Sequence, residues 1–351
     1  MAAAPGIAWS ARIGQMTAAA GDEPNAPFRP GASASAVGVS AAGAAEGPMT
    51  EFEMRLAGFA ASFEERLAAV LVEDGTAGSS PHPAPDRLLA AMRHGVLGGG
   101  KRLRPFLLVE TARLVGGPPQ GALLAAAAIE CLHCYSLVHD DLPAMDDDDL
   151  RRGRPTVHKA FDEATAILAG DALLTLAFEI LAEPAVHRDG AVRVELVGLL
   201  AVAAGARGMV GGQVLDLAAE REPVTGADDV ERLQAMKTGA LFAAAVAMGV
   251  ALGRAGGEER RRLAAFARAL GAAFQIADDL LDHEGEAAAV GKRTGKDAER
   301  GKATLVALHG PAWARMRLAE LVTEAEAALA PFGPAANTLA AAARFAAERT
   351  A

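Results

Sequence analysis

The chain has one tyrosine and two tryptophans, and aromatics make up only 4% of its 351 residues. That shortage argues against an all-β fold, whose sheets draw on aromatic and β-branched cross-strand pairs. Cysteine is nearly absent. Cys131 and Cys134 sit among apolar residues, so no disulfide framework is available, and no secretory h-region precedes them. A cytoplasmic protein is expected. Positive charge is also short: 34 Lys and Arg face 44 Asp and Glu, a net charge of −10. Without a broad basic field, nucleic acid and anionic membrane surfaces are poor partners, and any anion must be held by a local cluster. Long apolar runs are lacking too. Ala122–Ile129 and Ala243–Leu252 are too short or too interrupted to span a bilayer, and are expected to be buried core helices instead.

What is abundant is alanine and leucine, within a 51% hydrophobic composition that favours helix. Residues 1–48 are the exception. They are Ala, Gly, Ser and Pro without periodicity and cannot bury enough apolar surface to offset their ordering entropy, so disorder, or an over-extended gene start before Met49, is expected. From Phe52 onward, apolar residues recur at helical spacing in ten or more segments. The breaks fall at Gly116-Gly117-Pro118-Pro119, Glu222-Pro223, Gly256-Gly257 and Gly310-Pro311. Segments 120–142, 164–182, 192–218 and 258–282 are apolar nearly all round, which predicts positions inside a bundle. One all-α domain over 49–351 follows.

Two acidic clusters carry chemistry. His139-Asp140-Asp141-Leu142-Pro143-Ala144-Met145-Asp146-Asp147-Asp148-Asp149 closes a long apolar helix with six carboxylates that repel one another. A magnesium site, shared between carboxylates and substrate phosphates, and a solvated acidic loop are both open for this run alone. Asp278-Asp279-Leu280-Leu281-Asp282 lies within an apolar helix, with Asp278 and Asp282 on one face. Carboxylates on two core helices, with no matching internal cation runs, favour a shared metal site over a core ion pair. Cations punctuate these clusters. Lys101 and Arg104 follow Gly98-Gly99-Gly100, Arg151-Arg152 follow the first cluster, and Lys237-Thr238-Gly239 interrupts an apolar helix. Gly291-Lys292, Lys296 and Lys302 follow the second cluster, with a solvated loop the favoured reading for Lys296.

Taken in order, Gly-Gly-Gly-Lys101-Arg102-Leu-Arg104-Pro, Asp140-Asp141-x4-Asp146 with Arg151-Arg152-Gly153, Lys237-Thr238-Gly239 and Phe274-Gln275-x2-Asp278-Asp279-x2-Asp282 resemble the trans-isoprenyl diphosphate synthases. The resemblance spans about residues 85–305 and looks closest to the bacterial farnesyl diphosphate synthases. It implies an all-α isoprenoid synthase fold, a single-domain bundle around a central cavity, usually homodimeric. It also implies that isopentenyl diphosphate condenses with dimethylallyl or geranyl diphosphate. Two or three magnesium ions, which manganese can replace, would be held by Asp140, Asp141 and Asp146 on one side and Asp278 and Asp282 on the other, with Asp279 beside them. Lys101, Arg104, His133 and Arg152 would hold isopentenyl diphosphate. Arg151, Lys237, Thr238, Gln275 and Lys292, with Lys302 a weaker candidate, would grip the allylic diphosphate. Two departures, Gly95 and Gly98 where larger residues are usual and polar His283-Glu284 where apolar ones are common, touch no proposed ligand.

Rival readings are weaker. Glu130-x-x-His133 suggests a di-iron bundle but lacks its second motif, and Cys131-x-x-Cys134 lacks a second pair for zinc. A non-catalytic regulatory subunit would not need both acidic motifs intact, and a cyclase would not need the Lys101–Arg104 site. Product length points to Tyr135, five residues before Asp140 and so about 7 to 8 Å deeper along the helix. Ordinary core packing is the competing reading for that ring. The resemblance, with the Pro143-Ala144 insertion, implies farnesyl diphosphate, geranylgeranyl diphosphate being the alternative. Ser136, small and nearer the metal, is not expected to set the stop.

Overall fold

A computed structural model describes residues 49–71, 82–222, 226–289 and 304–348. The expectations for residues 1–48, and for Lys292, Lys296 and Lys302, lie outside the described residues. The regular structure of the described residues is helical apart from one ribbon of two two-residue strands. Helix α1 (Glu51–Val70) starts at a capping box in which Thr50 Oγ1 accepts from Glu53 N at 3.2 Å and Glu53 Oε2 from Thr50 N at 2.8 Å. Next come α2 (Asp86–Val96), α3 (Leu103–Leu114) and α4 (Pro119–Asp140), the last opened by Pro118-Pro119.

An antiparallel hairpin, β1 (Leu150–Arg151) with β2 (Arg154–Pro155), leads through the short α5 (Val157–Ala160) to α6 (Glu163–Ala182). Then follow α7 (Gly190–Ala204), α8 (Met209–Ala219), α9 (Ala227–Gln234), a π-helical turn Ala235–Gly239, α10 (Ala240–Leu252) and the long α11 (Gly257–Ala289). The described chain ends with α12 (Leu305–His309), α13 (Pro311–Leu329), a 3-10 stretch Ala330–Ala336 and α14 (Asn337–Ala347).

Two apolar clusters form the core. In the first, α4 packs on α6, with α2, α7 and parts of α3 and α10 around them, centred on Ile129, Leu132, Leu173 and Ile180. In the second, α11 packs on α13, with α1 and α14, centred on Phe106, Phe242, Phe266 and Leu270. Helices α3 and α10 are shared: Leu108 and Met248 face the first cluster, Leu107 and Val246 the second. The first acidic motif therefore ends a helix of one cluster, and the second lies on a helix of the other.

Two expectations need correction. Segment 192–218 is two helices, because Gly205–Gly208 breaks it: a Cβ on Gly208 would run into the Ala203 carbonyl. Segments 164–182 and 192–218 do not lie wholly inside. Ile167 and Leu168 on α6, Val194 and Val202 on α7, and Val210 and Val214 on α8 are all exposed, so each of these helices turns apolar side chains outward. Among the described residues, four stretches are long and apolar enough to cross a membrane by length and composition alone. The run Ala122–Ile129 lies in one of them, Pro119–Asp140, whose apolar window is 78% buried among other helices.

Candidate active site

The first motif is a helix terminus folded into a tight loop. Past the end of α4, Asp146 N donates to Asp140 O at 2.8 Å and Asp148 N to Asp141 O at 3.2 Å, curling the acidic run back over the helix end. Burial pushes the Asp140 carboxyl up to about 6, with Lys237 partly offsetting it and Asp146 adding to it. Asp140 and Asp146, coupled in charge, offer the oxygen ligands that suit a hard divalent cation. Asp141 differs. Its side chain is 3% exposed, and both oxygens accept from Arg151 Nε, at 2.8 and 3.0 Å, with Arg151 Nη2 at 2.6 Å. Asp147, Asp149 and buried His158 bring a further set of ligand atoms within 4.8 Å of one another, and Asp149 Oδ1 meets Lys159 Nζ at 2.9 Å.

Around α4 the cations fall into two groups. On one side, Arg104 Nη1 lies 3.3 Å from His133 Nε2, and its guanidinium lies 4.5 Å from the centre of the Phe242 ring. Burial, then the charges of Arg104 and Arg152, hold His133 well below its ordinary value. The ring is therefore neutral, and Nε2 accepts from Arg104. Lys101 Nζ lies 5.6 Å from the centre of Phe345 on α14. On the other side is Lys237, in the π-helical turn, a distortion often found at functional sites. Its Nζ bonds Asp216 Oδ2 at 2.5 Å, and its charge is felt at Asp140. Gly212 makes this possible: any Cβ there would strike the Lys237 backbone, so α8 lies directly against the turn. Thr238 shares that turn, half-buried.

The second motif divides by depth. Asp278 and Asp282, four apart on α11, share one of its faces, Asp282 exposed and Asp278 half-buried, and the charge of Asp278 is felt at Arg104. Asp279 is buried and accepts from Gln275 Nε2 at 2.9 Å and Gln234 Nε2 at 2.6 Å; burial still pushes it up to about 6. Gln275, read from sequence as an allylic ligand, thus spends its amide on Asp279. Tyr135 is buried on α4, 5.7 Å edge-to-face from His139, which abuts Gly170 of α6. Ser136 turns its hydroxyl back to His133 O at 2.8 Å. Sequence reading missed Asp216, Gln234 and Phe242. For Asp216 a signal existed, an acid inside an apolar helix three residues after Gly211-Gly212-Gln213.

The polyprenyl synthetase family model matches residues 85–329. This chain belongs to the polyprenyl synthetase family. Within this family it is 49% identical over 249 residues to the farnesyl diphosphate synthase of Escherichia coli (strain K12), covering 69% of this chain and 81% of that one. It is 47% identical over 236 residues to the farnesyl diphosphate synthase of Geobacillus stearothermophilus, covering 67% and 79%. A crystal structure of an FPP/GFPP synthase from Zymomonas mobilis superposes with TM-score 0.74 at 45% identity, covering 84% of this chain and 98% of that one. The isoprenoid synthase fold and the family expected from the motifs are both borne out.

Proposed function

We propose that this chain is a short-chain prenyltransferase that condenses isopentenyl diphosphate with dimethylallyl and then geranyl diphosphate, giving farnesyl diphosphate. The observation that carries the reading is that buried Asp140 feels the charge of Lys237, while Arg104, against neutral His133, feels that of Asp278; Lys101, Arg104, His133 and Arg152 would take one diphosphate, Lys237 and Thr238 the other. Asp140 and Asp146, with Asp278 and Asp282 opposite, would hold magnesium, two or three ions, which stabilises the negative charge that develops on the departing allylic diphosphate. Asp141 holds Arg151 toward the same diphosphate, and Gln275 acts through Asp279.

Lys237, whose charge reaches Asp140, would stabilise that leaving group as charge grows there. Arg104, with neutral His133 accepting from it, fixes isopentenyl diphosphate so that its alkene meets the allylic cation without a bimolecular encounter. The proton lost after attack goes to the departed diphosphate. Buried Leu and Ala of α4 and α6 exclude the water that would quench the cation. Tyr135 stops the chain at fifteen carbons. The reading includes a homodimer through the apolar outer face of α6, α7 and α8, and a cytoplasmic protein, consistent with its net charge of −10 and two buried free cysteines. Residues 49–351 are the working domain.

The test is incorporation of labelled isopentenyl diphosphate by Asp140→Ala and Asp278→Ala. Each is expected to lose about a thousandfold or more in turnover, the scale of lost leaving-group stabilisation. Near-normal rates in both folded variants would reject the assignment.

A further inference from the structure

The turn that brings Lys101 to the site is built from backbone that ordinary residues avoid. φ is +154°, +87° and +118° at Gly98, Gly99 and Gly100, and +49° at Arg102. Glycines have the most alternative conformations to lose, so this shape must be selected by contacts. Its carbonyl side is held by the hairpin. Arg154 Nη1 donates to Leu97 O at 2.6 Å, and Arg152 donates to Gly99 O. Cβ atoms on Gly98 or Gly100 would collide with those guanidinium groups, which gives a reason for glycine at the unusual position 98.

Its amide side is held by a single carboxylate. Glu64 Oε1 accepts from Gly98 N at 2.8 Å and Gly99 N at 3.4 Å, while Oε2 accepts from Arg102 Nη2 at 2.8 Å. Arg102, almost wholly buried, also donates to Val96 O at 2.6 Å and pairs with buried Glu130 on α4, one turn before His133. Burial alone would raise the Glu64 carboxyl, but Arg102 and the two glycine amides outweigh it and hold it below its ordinary value. Glu64 is therefore ionised at neutral pH. It lies on α1, before the residues that the family model matches.

We propose that Glu64 is a positioning residue for the isopentenyl diphosphate site, fixing the glycine turn so that Lys101 and Arg104 meet one diphosphate together. The inference rests on the assignment of Lys101 and Arg104 made above. Without the carboxylate, two amides lose their acceptor and the buried Arg102 guanidinium loses one of its three, and the turn returns to its many conformations. Lys237 is held instead by Asp216, on the opposite group, so the allylic site is spared.

The experiment compares wild type, Glu64→Gln, Glu64→Ala and Lys101→Gln as full chains, measuring KM for each substrate separately, kcat and thermal midpoint. For Glu64→Gln the isopentenyl diphosphate KM is expected to rise about tenfold, the worth of one charge-assisted hydrogen bond. For Glu64→Ala it should rise further, while kcat and the allylic KM stay within about twofold. Unchanged KM for isopentenyl diphosphate in the folded variants overturns the inference. So do parallel changes for both substrates, or loss of the fold in both variants, since either makes Glu64 a general stability residue. A wild type that condenses nothing fells the functional reading itself. An active wild type in which Lys101→Gln raises that KM and the Glu64 variants do not rejects only the role of Glu64.

Discussion

At the residue scale, the acids at the site are tuned by burial more than by one another. Asp140 and Asp279 are both pushed up to about 6, against ordinary carboxyls near 3.8. A carboxyl whose folded pKa exceeds its unfolded one binds more protons when folded, so the metal-free fold loses stability as pH rises from about 4 through 6. A divalent cation reverses that loss only where the carboxyls are ionised. Magnesium is therefore expected to raise the thermal midpoint clearly at pH 7.5 and hardly at pH 5, read by scanning calorimetry; equal shifts at both would contradict the assignment. Tyr135 is the second residue-scale test. Tyr135→Ala opens the space of an aromatic ring below Asp140 and is expected to move product from fifteen carbons toward twenty, as sized by chromatography. An active variant with unchanged products would leave the ring as core packing and nothing more.

At the scale of elements, the contact of α8 with the π-helical turn is the most sensitive joint. Gly212→Ala puts a methyl group into the Lys237 backbone. Overpacking of this kind costs about 1 to 3 kcal/mol, and the turn must shift to accept it. Denaturant unfolding should show that loss, and the allylic KM should rise while that for isopentenyl diphosphate holds. The same joint shows what a sequence conceals. Helices α4 and α11 and the acids they carry were legible because their residues are local in the chain: Asp140 and Asp146 lie on one loop, Asp278 and Asp282 on one face. Asp216 meets Lys237 only through tertiary packing, and Gln234 meets Asp279 from 45 positions away, so neither partnership has a local spacing to read. The break at Gly205–Gly208 was hidden by apolar periodicity that continues across it. The exposure of α6, α7 and α8 was hidden because an apolar face turned to the core and one turned outward look alike in sequence.

At the scale of the whole molecule, the two acidic motifs stand on helices of different apolar clusters, and further apolar side chains are left exposed on α6, α7 and α8. Placing charges there, as Val194→Asp with Val214→Asp, is expected to halve the apparent mass in size-exclusion chromatography; a monomeric wild type would remove the dimer from the account. A chain beginning at Met49 should fold and retain activity, and insolubility would show that the first 48 residues contribute. Taken together, the arrangement is expected to build a fifteen-carbon isoprenoid diphosphate. The most direct measurement incubates the wild-type chain with magnesium, labelled isopentenyl diphosphate and dimethylallyl diphosphate, then sizes the dephosphorylated products by chromatography. Farnesol is expected as the main labelled alcohol; no incorporation, or chains of twenty carbons or more as the main product, would contradict a farnesyl diphosphate synthase.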